Sequence, residues 1–220
     1  MLPMDPLHAA IALFPVAMYL LIIGAINLSP RPFVTTGARD AMALGIAISG
    51  CMVAGPMELF LPEAAAAAYG GWVWAMMLGC YALCVVFIAL MLRPRLVIYN
   101  ITLDQLLPVL EETIARLDPQ VRTVGNMIIS PALGVQLSVE SHSMVKNVQL
   151  ASAGPHQSQA GWRRLELALV PALQPVRGTP NPYGVSLVTF GVLLAGLISL
   201  LLVRDPAGVQ QALTEMLRRS

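Results

Sequence analysis

The sequence predicts an α-helical integral membrane protein with four transmembrane helices. A small α+β soluble domain, in two layers of antiparallel sheet plus helices, is inserted between the third and fourth helices. Three observations predict this. Residues 7–28, 41–61, 72–92 and 184–203 are long apolar stretches. Each reaches the roughly 20 residues that a helix rising about 1.5 Å per residue needs to cross about 30 Å of hydrocarbon. The chain is 57% hydrophobic and only 11% charged, with mean hydropathy +0.72, whereas soluble domains carry about 25% charged residues. Between the third and fourth stretches, residues 93–183 turn polar and show helix and strand periods in alternation.

The segment before the first span holds Asp5 and no Lys or Arg. A secretory signal begins with a basic region and a shorter apolar run, so this stretch is expected to remain as a span. Pro15 lies inside it and removes one backbone hydrogen bond, a loss that membrane helices accept when neighbours repair it. Ala10, Ala17 and Gly24 recur at sevens, and the run from Asn27 to Pro32 ends the helix. A loop through Asp40 then carries Arg31 and Arg39.

The second span is dense in small residues, Ala43, Ala47 and Cys51 on one stripe and Gly50 and Ala54 on another. Such spacing lets helix backbones approach closely, which drives association where lipid removes the hydrophobic incentive. Gly55-Pro56 should kink or break this span just before Glu58. Residues 62–71 form a short connection. The third span opens on Trp72 and Trp74, amphipathic rings suited to the headgroup level, and closes on Arg93-Pro94-Arg95. Trp72, Trp74, Arg93 and Arg95 are the candidate membrane-surface contacts.

In the polar domain, residues 96–100 read as a short strand. Thr102 and Gln105 have capping-box spacing ahead of a helix with Leu103, Leu106, Leu107, Leu110, Ile114 and Leu117 on one face, despite Pro108, and Asp118-Pro119 stops it. Residues 121–124 and 127–130 flank Gly125-Asn126, a two-residue hairpin turn. Val135, Leu137 and Val139 alternate with polar neighbours, as do Val148 and Leu150. Residues 158–173 align Trp162, Leu165, Leu169 and Leu173 on a second helix. The expected order is β-α-β-β-β-β-α, with a core of Leu106, Leu110, Ile114, Val135, Leu137, Val139, Val148 and Leu165.

The fourth span carries Gly191, Ala195 and Ser199 at fours. Residues 204–220 then read as an amphipathic C-terminal helix: Asp205 caps it, Pro206 opens it, and Val209, Ala212, Leu213, Met216 and Leu217 form one stripe.

Arginine placement orients the chain. Arg31, Arg39, Arg93, Arg95 and Arg177 share one side, while residues 62–71 hold Glu63 and no basic residue. The positive-inside rule puts residues 93–183 in the cytoplasm, and Arg204, Arg218 and Arg219 vote the other way. The expected location is the bacterial inner (plasma) membrane.

Glu58 is the candidate intramembrane polar site, because a carboxylate within a span is costly and beside a kink it could hold a proton or cation. The competing and simpler reading leaves it solvated at the headgroup level. Cys51, Cys80 and Cys84 all fall inside spans, and in an antiparallel hairpin they lie at similar depth. A soft metal is one reading of three such thiols, and helix packing is the preferred one. Glu140, Ser141, His142, Ser143 and Lys146 cluster near one strand connection without the elbow or orienting group that nucleophilic catalysis needs. His156 stands in a turn. Trp162-Arg163-Arg164 could contact anionic headgroups or a partner, and the preferred reading is the exposed edge of an amphipathic helix.

No phosphate-binding loop, dinucleotide fingerprint or zinc motif is present. A formal net charge of +1 with a single lysine argues against nucleic acid as partner. The expectation is a non-enzymatic membrane protein without cofactor or metal, whose cytoplasmic domain is an interaction or regulatory module. Its partners would be the lipid bilayer and a protein or a second copy of the chain. The alternative is a small oligomeric transport or channel component using Glu58, and the third reading is a membrane-embedded enzyme.

Overall fold

The structure, a computed structural model, describes residues 6–61, 63–142, 146–155, 157–178 and 180–218. The chain divides into two compact units. A helical unit runs to Ile23 and takes in Ala41–Leu90 and the chain from Ser186 onward; a sheet unit takes in Gly24–Asp40 and Met91–Val185.

Among the described residues, four helices are long and apolar enough to cross a membrane. They are α1 (Pro6–Leu28), α2 (Gly37–Met52) continued by a π-helical turn (Val53–Met57), α4 (Trp72–Met91) and α7 (Tyr183–Arg204). Their mean hydropathies are 2.4, 1.4, 2.4 and 2.5. The short α3 (Glu63–Tyr69) lies between the second and third of them. Helix α2 starts earlier than the apolar stretch suggested. Thr36 Oγ accepts the Arg39 N–H at 3.2 Å, and Asp40 sits in the first turn, where a helix N-terminus favours a carboxylate. The break expected at Gly55-Pro56 takes the form of the π turn, which accommodates a ring nitrogen that cannot donate.

Small residues set the contacts within the helical unit. A Cβ at Gly50 would overlap the carbonyl oxygens of Ile11 and Ala12, so α1 and α2 touch backbone to backbone there. Cys51 Sγ donates to Ala12 O at 3.2 Å on the same seam. Helix α4 docks on α2 through Val85, which fills the space over Gly45, and through Tyr81, whose hydroxyl donates to Gly45 O at 2.6 Å. Gly191 of α7 lies against Leu21 and the Ala17 carbonyl of α1. Helix α8 (Pro206–Arg218) begins as expected, with Asp205 Oδ1 accepting the Gly208 N–H at 2.8 Å.

The sheet unit is built on six antiparallel strands in the order β1-β2-β6-β5-β4-β3. They are β1 (Phe33–Thr36), β2 (Arg95–Tyr99), β3 (Arg122–Val124), β4 (Met127–Ser130), β5 (Val135–His142) and β6 (Asn147–Ser152). Helices α5 (Leu103–Leu117) and α6 (Gln159–Leu173) pack against each other and contribute to the same core. The predicted β-α-β-β-β-β-α order is present from β2 to α6. Strand β1 is the difference: the loop read between the first two spans pairs with β2, Phe33 opposite Tyr99 and Thr36 opposite Leu96. The domain therefore extends beyond residues 93–183 to include Gly24–Asp40. The β-branched Val34-Thr35-Thr36 run suits an edge strand between Pro32 and Gly37, and its pairing partner lies too far along the chain for local pattern to reveal it.

The hairpin at Gly125-Asn126 forms with Val124 opposite Met127, and Gly125 takes φ +59°, as the first central position of a type II′ turn requires. Every core residue named from periodicity is buried, with Leu106, Leu110, Val148 and Leu165 completely so. Asp118 closes α5 and is itself fully buried. Its Oδ2 accepts from Ser130 Oγ at 2.7 Å and Ala132 N at 2.9 Å, and its Oδ1 from Gln120 N at 2.8 Å. The Ser130 bond above all, then the backbone donors, hold its carboxyl below the usual carboxylate range against the opposing effect of burial.

Candidate functional site

The α1–α2 seam positions a convergent polar pair in the helical unit. Contact at Gly50 and Cys51 brings α2 against Ile11 and Ala12 of α1. Further along both helices, the same seam carries His8 in the first turn of α1 to Glu58, the residue that follows the π turn. His8 Nε2 stands 3.1 Å from each oxygen of the Glu58 carboxylate. Both side chains are partly open, at 29% and 38% exposure. Glu58 N–H donates to Gly55 O, and Pro56 O accepts from Phe60 N–H at 2.9 Å, so the widened turn is held on its far side. Single π turns recur at functional sites, and here Glu58 directly follows one.

A carboxylate and an imidazole at this distance can share or exchange a proton, the imidazole acting as donor or acceptor according to its tautomer. Two such ligands fall short of a metal set, and no group of three His, Cys, Asp or Glu converges among the described residues. The cysteines are not brought together. Cys51 reaches Ala12 O of α1, Cys80 and Cys84 stand on α4, and all three are exposed.

The remaining candidates are scattered. Trp72 is exposed and Trp74 half-buried at the start of α4; Arg93 is exposed. Arg95 is half-buried, its side chain lying over Gly37 at the start of α2, with a buried Nε that has no partner among the described residues. Glu140 and Ser141 are exposed on β5, and Lys146 Nζ donates to Pro180 O at 3.1 Å. Ser143 and His156 lie outside the described residues, as does the side chain of His142. Trp162 is buried, its indole N–H donating to Gln157 Oε1 at 2.9 Å, which corrects its reading as a headgroup contact. Arg163 and Arg164 beside it are exposed.

A cleft of about 620 Å³ opens beside β4 and β5, lined by Ile129, Pro131, Val135, Pro155, Gln157 and Ser158 among others. Three of its polar side chains, Ser130, Gln157 and Ser158, are engaged in holding the fold. Gln157 Nε2 donates to Gln136 O and Ala153 O at 2.9 and 2.6 Å, and Ser158 Oγ caps α6 by accepting the Gly161 N–H.

Sequence reasoning missed His8 as the partner of Glu58. The signal was present, because an antiparallel hairpin of spans 1 and 2 puts the start of one level with the end of the other. It also missed the Arg39–Glu166 ion pair, which joins the start of α2 to α6. No family model, curated protein or solved structure matches the chain, so the reading of these residues rests on their own geometry.

Proposed function

We propose that the chain is a multi-pass integral membrane protein, with α1, α2, α4 and α7 crossing the bilayer. Its six-stranded sheet is a cytoplasmic interaction or regulatory module rather than an enzyme domain. The observation that carries this reading is the β1–β2 pairing. Strand β1 belongs to the connection after α1 and β2 to the connection after α4. Two crossings separate these connections, so both emerge on one side, as a shared sheet requires. Arg31, Arg39, Arg93, Arg95 and Arg177 all fall in that unit, which supports a cytoplasmic side and an inner (plasma) membrane location.

Cysteine labelling in sealed cells tests the topology, using K146C and A66C on a background in which Cys51, Cys80 and Cys84 are replaced. An impermeant maleimide should modify position 66 and spare 146. The reverse pattern overturns the orientation, and modification of both overturns the four crossings. Co-purification from native membranes tests the partner, a protein or a second copy.

The Glu58–His8 pair favours a second reading, a small oligomeric transport component in which Glu58 carries a proton or cation. In that case Glu58→Gln abolishes flux in proteoliposomes while leaving the protein folded. Flux identical in the variant, or absent from the parent, leaves Glu58 an interfacial residue.

A further inference from the structure

Where β2 ends, the sheet unit holds a buried knot of amide groups that the proposed function does not use. Asn100 is fully buried and takes the left-handed conformation, φ +60°. Its Nδ2 donates to Ile26 O, a last-turn carbonyl of α1, and to Arg31 O at 3.5 Å. Asn181 N–H donates to Asn27 O at 2.8 Å, and its Nδ2 donates to Asn27 Oδ1 at 3.2 Å. Gly178 N–H donates to Pro30 O at 2.8 Å, and a Cβ at Gly178 would overlap the Asn100 carbonyl. Two last-turn carbonyls of α1 are thus engaged from outside the helix, Asn27 O by Asn181 and Ile26 O by Asn100 alongside the Ser29 N–H. Gly184 of α7 is packed against Gly24, Asn27 and Leu28 of α1.

Two features set this knot apart from an ordinary helix cap. Asn100 takes a left-handed backbone, which costs an Asn less than most residues but more than a glycine, and its buried Oδ1 has no partner among the described residues. Both costs fall on one residue, and both are relieved if the segment opens. Asn100 also directly follows Tyr99, the residue opposite Phe33, while its acceptor Arg31 stands just before β1.

We propose that Asn27, Asn100, Gly178 and Asn181 form a conformational latch. Closed, it holds the end of α1 to the start of α7 and β1 to the sheet edge. Displacement of the two helix ends breaks it, releases β1 and bares the outer edge of β2. The device converts a movement between helices into exposure of a strand edge.

Hydrogen-exchange mass spectrometry on the full chain in lipid nanodiscs tests this, following peptides 26–36, 176–184, 135–142 and 147–152. In the parent protein, the first two should exchange at least tenfold faster than the two strand peptides, through an opening smaller than domain unfolding. Asn100→Gly accepts the same backbone conformation and deletes the amide bonds. It should speed 26–36 and 176–184 together, again at least tenfold, and leave the β5 and β6 peptides unchanged. The amides of residues 33–36, which the Asn100 side chain does not touch, must be among those that speed up. Asn181→Ala, made from the other side of the knot, should reproduce the pattern. Latch peptides as slow as the strands in the parent overturn the proposal. So does equal acceleration of all four peptides, or acceleration confined to residues 26–31.

Discussion

Truncating Leu110 measures how far the sheet unit depends on its helix layer. Leu110 is fully buried on α5, within a core that includes Leu106, Ile114, Leu165 and Leu169. Replacing a leucine by alanine at such a site loses the transfer free energy of the deleted carbons and leaves a cavity, together about 2–5 kcal/mol. Leu167, on the outer face of α6, is 65% exposed, and its replacement by Ala should stay within about 0.5 kcal/mol. The chain offers a probe that reports on this unit alone. Of its three tryptophans, Trp162 is buried in the sheet unit, while Trp72 and Trp74 belong to α4. On a W72F/W74F background, urea unfolding of the full chain in detergent should follow Trp162 fluorescence. Leu110→Ala should lower the midpoint at unchanged slope, as a change in stability without a change in exposed surface does. A loss below about 0.5 kcal/mol, or a loss equal to that of Leu167→Ala, would refute the packing described for α5.

Two further outcomes follow from named contacts. Asp118 titrates below its unfolded value of about 3.9, so its contribution is fully present above about pH 4 and is lost as pH falls through the folded value. The Trp162 midpoint should therefore drop more steeply below about pH 4 in the parent than in Asp118→Asn, where there is no carboxylate to protonate; parallel curves would show the carboxylate to be unimportant. Gly50→Leu should force α1 and α2 apart, since even a Cβ there overlaps backbone. With Cys51, Cys80 and Cys84 replaced, a short bis-maleimide cross-linker should join cysteines placed at positions 8 and 58 readily with Gly50 in place and poorly once G50L is added, and equal yields would contradict the close seam.

Apolar length made the four long helices legible, because few soluble elements need some 20 apolar residues with at most one charge among them. The alternation in β5 and β6 and the stripe on α5 were legible for a similar reason: each repeats often enough along a short segment to fix a buried face. What local pattern did not carry was partnership across distance. Phe33–Thr36 offers four residues of strand propensity, too few to distinguish from a loop until β2 stands beside them. Trp162 belonged to the stripe with Leu165, Leu169 and Leu173 and yet, followed by two arginines, also resembled an interfacial group; its burial and the Gln157 acceptor decide for the stripe. Glu58 was recognisable from its cost, whereas His8 required counting both spans from their shared end. The asparagines of the knot gave no signal, since Asn at a helix end or in a Pro-Gly loop is ordinary turn chemistry.

The recruitment of β1 also sets an order on synthesis. Its four residues leave the ribosome long before Arg95–Tyr99 exist to pair with them, and β2 in turn is followed by β6 only after α5 and three other strands. Until then the segment between α1 and α2 must wait without its neighbour. A fragment cut at Arg93 would meet the opposite difficulty. It would carry the apolar run Leu96-Val97-Ile98-Tyr99 with one side of its backbone unpaired, and an open edge of that composition recruits strands from other molecules. The soluble-looking half of this chain should therefore aggregate when expressed by itself, and stay dispersed only when the segment between α1 and α2 is supplied with it.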